Sequence, residues 1–314
     1  MTDDKISVVV VGSINMDLVA RCAALPVPGQ TLHADSFEET YGGKGANQAV
    51  AAARAGGQVK MVGRVGDGAF AKSLVENLLG ESVDCSGVLS TASTASGLAM
   101  IAVDNDGENQ IIVVSGANGH VSAQDVQDAA QAIRRCDVLL LQLEVPLDAV
   151  AAALEIAHQC RCRVILDPAP VPTGGLPASL FAVDLLCPNE TEAALLTGMP
   201  TATFEELQAV SNELHRRGAV SVAITLSARG TVVSTGSSVR LIESTLVSPF
   251  DTTGAGDAFA GAMAVRWAET NDLISAVHFA NAAGAIAATR SGAQIGMPTR
   301  MEIDTFLDTS HTTP

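Results

Sequence analysis

Aromatic side chains are nearly missing. They make up 3% of 314 residues, with one Trp and one Tyr, too few to build stacking platforms for single-stranded nucleic acid. Basic residues are also scarce. Eighteen Lys and Arg stand against 34 Asp and Glu, a net charge of -16, which argues against a nucleic-acid or anionic-membrane partner. Charged residues reach only 17% and hydrophobic residues 47%, so there is material for a large core and no composition of disorder. No apolar run approaches the length of a membrane span, and the run near the N-terminus, ISVVVV, follows an acidic start and is too short for a signal peptide. A cytoplasmic location is expected.

Framework cysteine spacing is missing as well. Cys22, Cys85, Cys136, Cys160, Cys162 and Cys187 are scattered through apolar segments, which reads as reduced thiols rather than disulfides. The local group His158, Cys160 and Cys162 lacks a second ligand pair at zinc spacing. Common nucleotide fingerprints fail too. VVVVGSINMD lacks the GxGxxG spacing, YGGKGANQ has no Ser or Thr after its Lys, and no protein-kinase catalytic signature occurs.

What is present is an alternation. Continuous apolar runs (ISVVVVG, VKMVGRVG, VLLLQLE, RVILDPAP, DLLCPNE, SVAITLS) alternate with Ala-rich amphipathic runs such as NQAVAAARAGG and LDAVAAALEIAHQC. That is the pattern of strands buried on both faces and joined by crossover helices, in one α/β domain with a mostly parallel sheet. Residues 14–41 and 93–116 break the rhythm with shorter alternating pieces, including SGLAMIAVD and NQIIVVSG joined by DNDGEN. They predict a small antiparallel sheet that folds over the main one as a lid. An open lid edge is a liability, so pairing with a second copy is expected. The tail HTTP is expected to fray.

Two stretches place glycines where a loop opens onto a helix of small residues, GGKGANQAVAAARAGG and DTTGAGDAFAGA. The first N–H groups of a helix lack intrahelical partners and bind an oxyanion once bulky side chains are absent, so this is a phosphate-shaped site that needs no basic patch. Asp257 lies in the first turn, where any acid is favoured by capping and the macrodipole. An acid that only capped the helix would compete with the anion for the same amides. Beside the anion hole it can instead accept a proton from an attacking hydroxyl.

In order along the chain, GSINMDLV, LPVPGQT, GGKGANQAV, QLEVPL, LDPAP, PNETEAALLTG, ITLSARG, DTTGAGDAF and TRSGAQ resemble the motifs of the ribokinase, or PfkB, family of sugar kinases. The resemblance covers essentially the whole chain. It implies a three-layer α/β/α core from residues 1–13, 42–92 and 117–314, with the lid from 14–41 and 93–116. The implied activity is ATP-dependent phosphorylation of the 5-hydroxyl of D-ribose, with 2-deoxyribose or another small sugar as the alternative. A sugar-binding regulatory protein without catalysis is the alternative of another class.

By the same resemblance, Asn15, Asp17, Gly43, Lys44, Asn47 and Glu144 bind sugar, a set whose carboxylates and amides suit hydroxyls. Asp257 is the base and Gly254, Ala255 and Gly256 the anion hole. Asn189, Glu192, Thr225, Ser227, Gly230 and Asn281 face the nucleotide, with Glu192 holding Mg²⁺ through water; Asn189 and Glu192 also have the spacing of a capping box. Asp251, Thr253, Ala287, Arg290 and Gly292 hold a monovalent cation, K⁺, mostly through carbonyls, while Gly296 stands where the family has a Ser ligand. Met16 is the residue expected to shade the sugar pocket.

Overall fold

The protein, described by a computed structural model over residues 5–105 and 107–310, has the following strands in chain order: β1 (Ser7–Val11), β2 (Asn15–Arg21), β3 (Ser36–Gly42), β4 (Gln58–Val65), β5 (Asp84–Ser90), β6 (Gly97–Val103), β7 (Asn109–Val114), β8 (Val138–Leu141), β9 (Arg163–Leu166), β10 (Leu185–Leu186), β11 (Ser221–Thr225), β12 (Thr231–Ser234) and β13 (Val239–Ile242). The HTTP tail and Asp106 of the DNDGEN turn lie outside the described residues. The helices are α1 (Lys44–Arg54), α2 (Ala71–Gly80), α3 (Ala123–Asp128), α4 (Ala130–Ile133), α5 (Leu147–His158), α6 (Glu190–Thr197), α7 (Phe204–Arg217), α8 (Ala255–Thr270), α9 (Leu273–Ala288), α10 (Ala293–Gly296) and α11 (Arg300–Ser310).

A nine-stranded sheet runs in the order β13-β12-β11-β10-β9-β8-β1-β4-β5. It is parallel from β5 to β11, with β12 and β13 added antiparallel at one edge. The continuous apolar runs divide by their period of two. Val8, Val10, Val138, Leu140 and Ile165 enter one core, and Val9, Val11, Leu139, Leu141 and Leu166 enter a second, on the opposite face. Helices α1, α2, α8 and α9 supply the first core and α3 to α7 the second, which makes three layers. Each fully buried Val, Leu or Ile contributes roughly 1.5–3 kcal/mol.

The second sheet has the order β3-β2-β6-β7. Its outer pairs are antiparallel, as expected, but the central pair β2–β6 is parallel. The cause is connectivity: β2 follows β1 and β6 follows β5, so both leave the same end of a parallel sheet and run the same way. Met16 alternates with Asn15 and Asp17 along β2 and is buried in the first core, on the face away from those two polar side chains.

Small residues set the spacing of the layer that carries the site. A Cβ at Gly261 of α8 would lie 2.5 Å from the Ala51 Cβ and 2.7 Å from the Ala52 N of α1. The two helices therefore touch backbone to backbone, and their relative height is fixed by packing.

Candidate active site

The sequence-predicted residues gather at the carboxyl ends of the parallel strands. Ser13 and Asn15 follow β1, Gln142 and Glu144 follow β8, Asp167 follows β9 and Asn189 follows β10, while Thr225 closes β11. Strand β1 has β4 on one side and β8 on the other, a point where the winding reverses and a crevice opens. The small sheet stands over this end because β2 continues from β1.

The six residues assigned to sugar converge. Glu144 Oε2 accepts the Lys44 backbone N–H at 3.1 Å and the Ser13 hydroxyl at 2.5 Å. Gly43, the N-cap of α1 at φ 86°, packs against the backbone N of Asn15. Asn15 and Glu144 line a cavity of about 410 Å³ together with Asn118 and Ser115. Asn118 donates to Asn15 Oδ1 at 2.7 Å and so orients that amide. Asp17 is buried, and its Oδ1 takes no hydrogen bond among the described residues. A buried carboxylate oxygen without a donor is costly, and a hydroxyl-bearing ligand would satisfy it.

Asp257 lies in the first turn of α8. That helix starts from Gly254 at φ 76°, where a Cβ would also press within 2.9 Å of the Ala293 Cα, so a side chain there would be strained and crowded. The Asp257 carboxylate is buried between two amides of α1. Asn47 Nδ2 donates to Oδ2 at 2.9 Å and Gln48 Nε2 to Oδ1 at 3.1 Å. Asn47 is oriented in turn by Gln294 Nε2 at 3.1 Å, and Gln294 by Asn77 at 2.7 Å.

Acids crowd around one lysine. Burial, then Glu144 and Asp257, push the Asp17 carboxyl up to about 7. Burial also pushes Asp167 up to about 7, against the pull of Lys44, whose Nζ sits 3.2 Å from Asp167 Oδ2. Burial works against the Lys44 ammonium, but Asp167, Asp257, Glu192 and Glu144 outweigh it and hold the group above its ordinary range. One cation thus spans the carboxylates of both halves of the site.

Five of the six residues assigned to the nucleotide line a second cavity of about 470 Å³, and Glu192 is not in its wall. Asn189, Thr225, Ser227, Gly230 and Asn281 are in its wall, and so are Ala255 and Gly256 at the start of α8. The Gly256 side faces open space. The Ala255 N–H, expected in the anion hole, instead donates to the Thr252 carbonyl at 3.2 Å, so Gly254, Gly256 and Asp257 are the amides at this helix start left without a backbone partner among the described residues. Asn189 and Glu192 form the capping box at α6, each side chain accepting the other's backbone N–H at 2.8 Å. The Asn281 amide is engaged within the protein, accepting from Thr231 and donating to the Ile242 carbonyl.

The cation set forms a loop cluster. Asp251 accepts the Thr253 and Gly292 N–H groups at 2.9 Å each. Burial opposes its charge, but the bonds from Thr253 and Gly292 outweigh this and hold it below its usual value. The Ala287 carbonyl accepts the Arg290 N–H at 3.0 Å, and Arg290 Nη2 pairs with Glu302 at 2.6 Å. A Cβ at Gly296 would lie 3.4 Å from the Ala287 carbonyl oxygen and 3.8 Å from that of Ser291, where a hydroxyl could join the same carbonyls.

Gln48, Gln142, Asp167, Asn118, Ser13 and Gln294 belong to the site without having been singled out. Gln48, Gln142, Asp167, Ser13 and Gln294 stand inside quoted motifs, but nothing local distinguishes a buried polar side chain from a solvated one.

Comparison with known proteins places the chain in a family. The family model described as pfkB family carbohydrate kinase matches residues 5–300. A ribokinase of Haemophilus influenzae is 38% identical over 300 residues, covering 95% of this chain and 97% of that protein. A deoxyribokinase of Salmonella typhi is 34% identical, covering 96% and 98%. The structure of a ribokinase of Arabidopsis thaliana complexed with ribose and ATP superposes with a TM-score of 0.89 at 32% identity, covering 96% of this chain and 99% of that one.

Proposed function

Since the chain belongs to the pfkB family of carbohydrate kinases, we propose that it is a ribokinase, transferring the terminal phosphoryl group of ATP to the 5-hydroxyl of D-ribose. The observation that carries this reading is the place of Asp257. Its carboxylate adjoins Asn47 of the sugar set, and Ala255 and Gly256 of its own first turn line the nucleotide cavity. Asn15, Asp17, Asn47 and Glu144 hold the sugar hydroxyls, the Asp17 Oδ1 receiving one. Asp257 accepts the proton of the attacking hydroxyl, and the start of α8 stabilises charge on the phosphoryl in transit. Phosphoryl transfer is mainly positioning and charge stabilisation, and the backbone contact between α1 and α8 provides the positioning.

Glu192 suits a role toward Mg²⁺ through water. The capping box uses its Oε2 and leaves Oε1 for a hydrated ion, whose charge neutralises the phosphates. The carbonyl cluster around Asp251, Ala287 and Gly292 suits K⁺, with the hydroxyl at position 296 missing. The two lid segments, residues 14–41 and 93–116, close over the sugar and exclude water. A coupled assay over ribose, 2-deoxyribose, fructose and nucleosides, with and without potassium, tests the reading. Ribose is expected to give the highest kcat/KM, with potassium raising the rate. Preference for deoxyribose would shift the substrate toward that of the Salmonella relative, and no turnover on any sugar would leave a regulatory protein.

The lid also supports a homodimer. Its edge strand β7 is exposed along its length, with Ile112 at 63%, and Phe37 and Met100 add further exposed apolar surface on β3 and β6. An apolar edge strand of this kind is a template for pairing with another copy. Light scattering at micromolar concentration is expected to give twice the chain mass, and Ile112→Lys to give the monomer. A wild-type monomer would overturn the dimer. No described helix is long and apolar enough to cross a membrane, and six free thiols suit the reducing cytoplasm.

A further inference from the structure

Gln48 is wholly buried and plays no part in the assignments above. Its Nε2 donates to Asp257 Oδ1 at 3.1 Å and to Asp167 Oδ2 at 2.9 Å. A primary amide has two N–H groups, so each carboxylate takes one. The Gln48 Oε1 accepts Gln142 Nε2 at 2.6 Å, and this sets the way the amide is turned. A flipped Gln48 would aim its oxygen at two carboxylates and its NH₂ at the Gln142 NH₂. The consecutive positions of Asn47 and Gln48 on α1 thus deliver one donor to each oxygen of Asp257.

We propose that Gln48 is a positioning residue for phosphoryl transfer, a wedge whose single amide keeps Asp257 and Asp167 as separate carboxylates, so that the acceptor hydroxyl's proton goes to Asp257 alone. The inference rests on Asp257 being the base. Two buried carboxylates without a donor between them share a proton, and one of the pair then ionises only at higher pH. Hydrogen bonds donated to a carboxylate have the opposite effect. The other charged groups facing this pair are Lys44 of α1, Asp17 of β2, Glu144 after β8 and Glu192 of α6, as their mutual effects on Lys44 and Asp17 show. Lys44 favours ionisation and the acids oppose it, so the balance is sensitive to the loss of one donor pair. Burial holds the Asp167 carboxyl up at about 7.

The test is a pH profile. Gln48→Met removes both donors at nearly constant volume, and Gln48→Glu keeps the shape while placing a third carboxylate against Asp257 and Asp167. Both are expected to lower kcat by about 10–100-fold, the scale of a misplaced reacting group, with KM for ATP unchanged. Both are also expected to move the acid limb of the kcat/KM profile to higher pH, Gln48→Glu further than Gln48→Met. In an Asp257→Asn background, Gln48→Met should add little. A purely structural role would lower Tm and leave the acid limb in place. That outcome in either variant that folds overturns the inference while leaving the kinase reading intact, whereas full turnover by Asp257→Asn alone would remove the base and this inference with it.

Discussion

Asp257→Asn is expected to lower turnover about 10²–10⁴-fold, the range for removing a general base, with ATP affinity little changed. The change nearly conserves shape, so the start of α8 and the cavity lined by Asn189, Thr225 and Gly256 should persist. What changes is charge and acceptor capacity. The carboxylate accepts from Asn47 at one oxygen and from Gln48 at the other, and the replacement turns one oxygen into a donor facing a donor. The new amide cannot accept the proton of a hydroxyl at either position. Steady-state kinetics with separate titrations of sugar and ATP check this. Turnover within about threefold of wild type would remove Asp257 from the role of base.

Asp17→Asn should make the unliganded protein more stable at pH 8 and much poorer at holding its sugar. Asp17 ordinarily ionises near 3.8 and in the fold near 7, so folding favours its protonated form. Its contribution to stability is fully present below about pH 4 and is lost as pH rises through about 7. Ionisation moved from 3.8 to about 7 corresponds to roughly 4 kcal/mol. An amide cannot ionise, so most of that cost disappears above pH 7, and the variant and wild type should melt alike near pH 4. Asp167 has the same sign of shift, and wild type should therefore also lose stability between about pH 4 and pH 7. Sugar affinity should fall about 100-fold, equivalent to about 2.8 kcal/mol, for the loss of a charged acceptor to hydroxyls. Thermal melts across pH and calorimetric titration with ribose read both effects. An unaltered melting difference between pH 5 and pH 8 would show that Asp17 is not buried as a strained acid.

Much of the architecture was legible because burial writes itself locally. The runs VVVV (residues 8–11) and VLLL are apolar at every position since alternate side chains feed two different cores, and no partly solvated strand would tolerate that. The small residues of GGKGANQAVAAARAGG and DTTGAGDAFAGA were visible for a similar reason, since only they permit α1 and α8 to meet at Ala51 and Gly261. Other features had no local trace. Strands β12 and β13 pass unnoticed among polar residues, and β10 shrinks to Leu185–Leu186 within a longer apolar stretch. Met16 looks like a neighbour of the sugar ligands in sequence, yet strand alternation turns it into the core.

The sequence by itself determined the layers and the glycine-lined start of α8, because periodicity and glycine placement act over a few residues, while the hydroxyl-binding set was proposed only through the resemblance of its motifs to a family. Only the tertiary structure decided how those groups are held. Gln48 meets Asp257 across 209 positions and Asp167 across 119, the middle pair of the small sheet runs parallel because two distant segments leave the same end of the large sheet, and Asp17 is left with an oxygen that no donor among the described residues reaches. A polar side chain in a buried site is defined by the partners that desolvation forces on it, and those partners come from whichever chain segments the fold brings together.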